Sequence, residues 1–300
     1  MTIQPTHAPQ VAQGAALPPI PVPVAVVTGA ADGIGWATAQ RLAADGWRVA
    51  LLDLRADAAV ERAAELARLH PGPFAQATHL GLGCDVTDAA SVHSAVATVV
   101  SQLSRIDALV NNAGIADQTA PTLEQSLSAF DRVLAVHLRG SFAMTQAVLA
   151  VMQHQPRDAW GNRGAVVNIG SIASTGGIPG RNAYSAAKAG VLGMTRTLAC
   201  EWGRHGIRVN AVAPGYVRTA LIADLARRGA IDAAAIAHRT PLGRMADPAE
   251  IAEAIAFLAS ARASYVNGST LAVDGGWSAF GATESALPPL PSVSTPTEDC

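Results

Sequence analysis

Seven short apolar runs punctuate the chain, at residues 24–28, 47–52, a stretch leading into Cys84-Asp85-Val86, then 106–110, 164–170, 207–213 and 269–273. Their continuous or alternating pattern, rich in β-branched residues, is that of buried strands. Between them the apolar residues spread to helical spacing. Helices are predicted from the glycines after the first run to about residue 45, over 56–70, from about 88, over 122–155, from 183 to 203 or 204, and over 248–260. Strand and helix alternate, which predicts an α/β protein with a doubly wound sheet of seven parallel strands, helices on both faces and a ligand crevice at the strand carboxyl ends.

The ends of the chain break this pattern. Residues 1–23 hold six prolines without a basic start followed by an apolar segment, so they read as a flexible arm and not a signal peptide. Residues 281–300, with Pro288, Pro289, Pro291 and Pro296, read as a flexible tail. One catalytic domain over 24–280 is expected. No apolar stretch reads as long and uncharged enough to span a bilayer, so no membrane partner is expected.

Composition narrows the partners. Half of the 300 residues are hydrophobic and 15% are charged, with a net charge of −2. That is no basic footprint for nucleic acid, and a small-molecule partner is expected. Cys84, Cys200 and Cys300 are odd in number and contain no C-x-x-C, which argues against a disulfide framework or a thiolate zinc site and for a reducing, cytoplasmic compartment. The eight histidines are scattered with no H-E-x-x-H, so no metal site is expected.

The chemistry concentrates between Ser171 and Lys188. The strand 164–170 ends in a glycine-rich loop with Pro179, and the next helix carries Tyr184 and Lys188 four residues apart, on one face. A free phenol has a pKa of about 10, too high for proton transfer near neutrality. An ammonium about 4 to 6 Å away favours the phenolate by roughly 3 to 4 kcal/mol at an effective dielectric of about 20. A serine hydroxyl beside the pair orients a substrate oxygen. The bland alternative is an ordinary helical pair and an ordinary turn serine.

Ser171 with the Y-S-A-A-K of Tyr184 to Lys188 resembles the catalytic segment of the short-chain dehydrogenase/reductase family, NAD(P)-dependent oxidoreductases on a single Rossmann-type domain. The likeness runs from about Val24 to Gly276, with the family's motifs in order. Gly29, Asp32, Gly33, Ile34 and Gly35 follow the first strand as T-G-x-x-x-G-I-G, where glycines admit a pyrophosphate to a helix N-terminus; a plain structural turn is the alternative.

Asp53, followed by Leu54, lies about 20 residues further on, where dinucleotide folds bind the adenosine ribose. Its carboxylate, with Asp32, predicts NAD over NADP, and Arg55 is the counter-signal. By resemblance Asp85 and Val86 contact the adenine, although Asp85 equally reads as a helix cap. Asn112, Ala113 and Gly114 line the cofactor from N-N-A-G. Pro214, Gly215, Val217 and Thr219 form the nicotinamide-side motif, and residues 219–239 are a substrate lid. V-D-G-G at Val273 to Gly276 resembles a segment often found at subunit interfaces, implying a homo-oligomer, commonly a tetramer.

One position departs from the family. His137 stands where relatives carry the asparagine of a Ser-Tyr-Lys-Asn tetrad, and three readings stay open: a working substitute, a packed structural histidine, or an impaired relay. As a working group it predicts a pH dependence near neutrality. The resemblance implies hydride transfer between nicotinamide and a secondary alcohol or ketone; an NADP-linked 3-oxoacyl-thioester reductase and a non-catalytic dinucleotide-binding protein are the alternatives. Near the site Ile172, Ala173, Ile178 and Pro179 suggest an apolar wall, while Gln118, Arg181 and Asn182 suit a polyol, sugar or acid.

Overall fold

Alternate residues of the first strand, β1 (Val24–Thr28), go to opposite layers. Val24 and Val26 enter one apolar cluster, Ala25 and Val27 the other, as the two-residue strand period requires. The computed structural model describes residues 22–71, 79–227, 229 and 231–287. Most of the proline-rich arm, Arg228 and the tail from 288 onward lie outside the described residues.

The chain continues α1 (Gly33–Ala44), β2 (Arg48–Asp53), α2 (Ala56–Leu69), β3 (Leu80–Gly83), α3 (Ala89–Leu103) and β4 (Ala108–Asn111). Then come α4 (Leu127–Leu134), α5 (Ser141–Met152), β5 (Gly164–Ile169), α6 (Asn182–Trp202) and β6 (Ile207–Pro214). Two short helices, α7 (Ala220–Arg227) and α8 (Ala233–Arg239), precede α9 (Pro248–Ala259) and β7 (Thr270–Val273). All seven strands are parallel, in the order β3-β2-β1-β4-β5-β6-β7. The order reverses between β1 and β4, and such a switch point opens a crevice at the strand carboxyl ends.

Both faces of the sheet are covered. Val92, Val99 and Leu103 of α3 pack with Met144, Val148 and Met152 of α5 on one side. Leu42 of α1, Leu66 of α2 and Ile251, Ile255 and Leu258 of α9 cover the other. Burying each large side chain contributes about 1.5 to 3 kcal/mol. Under the sheet end runs a polar chain: Asn111 Nδ2 donates to Thr145 Oγ1 and Asn168 Oδ1, and Asn168 Nδ2 to Thr195 Oγ1, while Asn111 Oδ1 has no partner among the described residues.

Two expectations change. The third strand ends at Gly83 and leaves Cys84-Asp85-Val86 as loop, because Asp85 Oδ1 accepts both the N–H and the hydroxyl of Thr87 and turns the chain. The predicted helix over 122–155 is divided. A 3-10 turn at Thr122–Glu124 comes first, Ser126 caps α4, and a π-helical turn at Ala135–Gly140 joins α4 to α5. Within the 26-residue run Leu127–Met152 an 18-residue window reaches a mean hydropathy of 1.3, so a segment long and apolar enough to cross a membrane does exist. Half of that window is buried inside the protein, as in a core helix.

Candidate active site

The turn after β1 runs through Gly29 and Gly33, at φ values of 62° and 54° that favour glycine. A Cβ on Gly33 would lie 3.3 Å from Thr219 Cγ2, so Thr219 sits directly across this turn. Gly35 packs behind it, where a Cβ would strike Gly29 O. The space between the turn and Thr219 is kept free of side chains, beside a helix N-terminus whose first N–H groups lack intrahelical partners. Asp32 uses one of them: its Oδ1 accepts the Gly33 N–H at 2.7 Å and caps α1.

Asp53 ends β2 with both carboxylate oxygens held, Oδ2 by the Ala31 N–H and Oδ1 by the Arg55 N–H, each at 3.1 Å. Each oxygen retains capacity to accept from a ribose diol. Arg55, whose side chain is 64% exposed, reaches Asp53 Oδ1 at 3.5 Å, so it leans on the carboxylate it was set against. Asp88, not Asp85, caps α3. Asn112 ties β4 to β1, donating to Thr28 O and Gly29 O at 2.9 and 3.0 Å. These residues fit a dinucleotide: a side-chain-free turn for its phosphates and an oriented carboxylate for its ribose.

Ser171 leaves β5 as the cap of a 3-10 turn, Ile172–Ser174, its Oγ accepting the Ala173 N–H at 3.1 Å. With that oxygen oriented, the Ser171 hydroxyl lies near enough to the Tyr184 phenol to draw its pKa down. Tyr184 enters the site from α6, where Asp117 Oδ2 accepts its N–H at 3.0 Å. Burial pushes the phenol above its ordinary pKa, while Ser171 and the Arg181 cation pull it back. Lys188 is buried, donates to Ile169 O at 2.7 Å, and lies 5.6 Å from the Tyr184 ring centroid. Burial lowers its pKa to about 8.

The expected depression of the phenol by Lys188 is therefore not found. The ammonium is directed at a carbonyl and lies by the ring, and desolvation disfavours charge on both groups, raising the phenol and lowering the amine.

Of the three readings open for His137, its contacts are those of a packed side chain. It is buried on the π turn, with Nε2 3.1 Å from Ile115 N and 3.0 Å from Ile115 O. Its ring stands edge-on to Tyr184 at 5.3 Å. Burial, then the Lys188 charge, lowers its pKa to about 3. Lowered so far, the imidazole is held in its neutral form, against the charge change near neutrality that a working group would give. Its main-chain carbonyl accepts the Ser141 hydroxyl at 2.7 Å, and Nδ1 has no partner among the described residues.

One crevice of about 590 Å³ brings these residues together. Of the positions named from the sequence as catalytic or cofactor-binding, all but Gly35 line it. Ile172 and Ile178 line it as well, whereas Ala173 and Pro179 do not. The sequence reading missed Asp117, Tyr216, Ile222 and Leu225, all in the wall. Tyr216 fell on an unassigned position of P-G-x-x-x-T, and Ile222 and Leu225 carry only the weak signal of apolar residues three apart in the predicted lid, which forms α7 and α8.

The family profile described as Enoyl-(Acyl carrier protein) reductase matches residues 29–278. D-threitol dehydrogenase of Mycolicibacterium smegmatis is 44% identical over 256 residues, 85% of this chain and 92% of that protein. Cis-4-hydroxycyclohexanecarboxylate dehydrogenase of Sinomonas cyclohexanicum is 45% identical over 258 residues, 85% of this chain and 96% of that one. The crystal structure of levodione reductase superposes with a TM-score of 0.77 at 36% identity, covering 86% of this chain and 98% of that one. The chain spans 43% of the length of another relative, an uncharacterized short-chain type dehydrogenase/reductase of Sinorhizobium fredii that is 44% identical over 254 residues. With that site on this sheet and those relatives along most of its length, the chain belongs to the short-chain dehydrogenase/reductase family, oxidoreductases of alcohols and ketones that work with a nicotinamide dinucleotide.

Proposed function

We propose that the protein is an NAD-linked dehydrogenase that interconverts a small secondary alcohol and its ketone. The observation that carries this reading is the convergence of Ser171, Tyr184 and Lys188 in the crevice that also holds Asp53. The bound nicotinamide supplies the hydride acceptor or donor. Tyr184, which burial keeps protonated at neutral pH, gives its phenolic proton to the substrate oxygen in reduction and, as the phenolate, takes the hydroxyl proton in oxidation. Ser171 orients the substrate oxygen by hydrogen bonding. Lys188, by likeness to the family, holds the nicotinamide ribose.

Tyr184→Phe is expected to lower kcat at least about a thousandfold while NADH still binds, as followed by NADH fluorescence. Substantial remaining turnover overturns the assignment. The NAD preference rests on Asp53, whose half-buried carboxylate opposes a 2′-phosphate by roughly 1 to 4 kcal/mol at an effective dielectric of about 20 to 80. In an assay with both cofactors, kcat/KM is expected to favour NAD at least about tenfold, and a preference for NADP sinks this part. A 3-oxoacyl reductase, the activity named for a 39% identical relative from Thermotoga maritima, is disfavoured by the same carboxylate.

We also infer a homo-oligomer, a tetramer by family likeness. Its support is β7, whose residues Thr270, Leu271 and Ala272 are exposed at the edge of the sheet. The unpaired Cys84 and Cys200 agree with a reducing cytoplasm.

A further inference from the structure

We propose that Arg181 is the anion-binding residue of the substrate end of the crevice, and that the substrate is a hydroxy or oxo acid whose carboxylate it holds. The inference rests on the alcohol and ketone reading of this site.

Three polar residues near the site compete for a polar substrate, and their contacts separate them. Gln118 is spent at both ends, Oε1 accepting the Ser126 N–H at 2.8 Å and Nε2 donating to Ser126 O at 3.0 Å. Asn182 is exposed and donates to Thr122 Oγ1 and Gln125 Oε1 at 3.1 and 3.2 Å. Neither lines the crevice, and Arg181 does. Its side chain has no hydrogen bond, ion pair or ring contact among the described residues.

Arg105 pairs with Asp107 and Arg244 with Glu250, and Arg208 donates to the carbonyls of Leu258, Ala259 and Ser260. A guanidinium carries five donors and a permanent charge. Half-buried beside Ile172, Ile178 and Ile222, it gains most from a partner that arrives with the ligand.

Arg181 directly precedes α6, one helical turn from Tyr184, so the two side chains are neighbours. Its charge is felt at the phenol. The anion therefore sits a short carbon skeleton away from the reacting oxygen. Asp117 sets the charge of that anion. One of its oxygens holds the Tyr184 N–H, and the other is buried without a partner in the same wall. The Asp117 carboxylate in this wall opposes a phosphate dianion more strongly than a monoanion, and a planar carboxylate matches the guanidinium fork.

The test is calorimetric titration of the enzyme saturated with NADH, using cyclohexanecarboxylate, cyclohexanecarboxamide and cyclohexyl phosphate. The carboxylate is expected to bind at least tenfold more tightly than the carboxamide or the phosphate. Arg181→Gln should bring carboxylate and carboxamide within about twofold, and Arg181→Lys should keep an intermediate preference. Equal affinities in the wild type, a preference that survives Arg181→Gln, or tighter binding of the phosphate each overturn the proposal. Because no turnover is read, failure here is distinct from failure of Tyr184 as the proton carrier.

Discussion

At the residue scale, His137 shows how burial alone redirects a side chain. Unfolded, the imidazole titrates near its ordinary value of about 6.5; folded, its pKa falls to about 3. The unfolded chain thus binds one proton more between these limits. Stability is lost as pH falls from about 6.5 toward 3, by up to about 1.4 kcal/mol per pH unit. His137→Asn should flatten this slope in urea denaturation measured from pH 7 to pH 4, and an unchanged slope counts against the neutral buried imidazole. Gly114 belongs to the same contact, since a Cβ there would lie 2.5 Å from His137 Cε1. The sequence marks both residues but not that they touch: 23 positions separate them, and the π turn brings them together.

At the element scale, α6 carries Tyr184 and Lys188 with Arg181 just before it, yet its N-terminus is secured from elsewhere. Arg181 makes no side-chain cap, and Asp117, 67 positions earlier, accepts the Tyr184 N–H. Asp117→Ala is expected to cost about 1 kcal/mol in denaturant unfolding, as a lost cap does, and to speed amide exchange in the first turn of α6. Asp117→Asn keeps an acceptor oxygen and should recover most of the loss. Equal stability of all three proteins removes Asp117 as the cap. The helix itself was legible from its periodicity and the i, i+4 pair. Its cap was not, because a carboxylate on a distant loop leaves no local pattern. The division of 122–155 was equally hidden, since one apolar stripe accommodates both the α turns and the π turn.

At the scale of the whole molecule, the parallel sheet is buried on both faces and open at its β7 edge. Three exposed residues on a strand of an otherwise buried sheet leave ladder groups available for pairing. Sedimentation is expected to give a dimer or tetramer at micromolar concentration, and Leu271→Glu, at a 40% exposed position, a smaller species. A wild-type monomer overturns the homo-oligomer.

The seven parallel strands, the helices on both faces and most of the cofactor and catalytic positions were legible in the sequence itself, because strand and helix periods and glycine turns are local; the order of the strands in the sheet came from the tertiary structure. The tertiary structure alone decided what the charged and polar groups near Tyr184 do. Burial sets the protonation of His137, Tyr184 and Lys188, and contacts across many residues spend Gln118 and Asn182 while leaving Arg181 open. Those are properties of distances and solvent exclusion, which no linear spacing encodes.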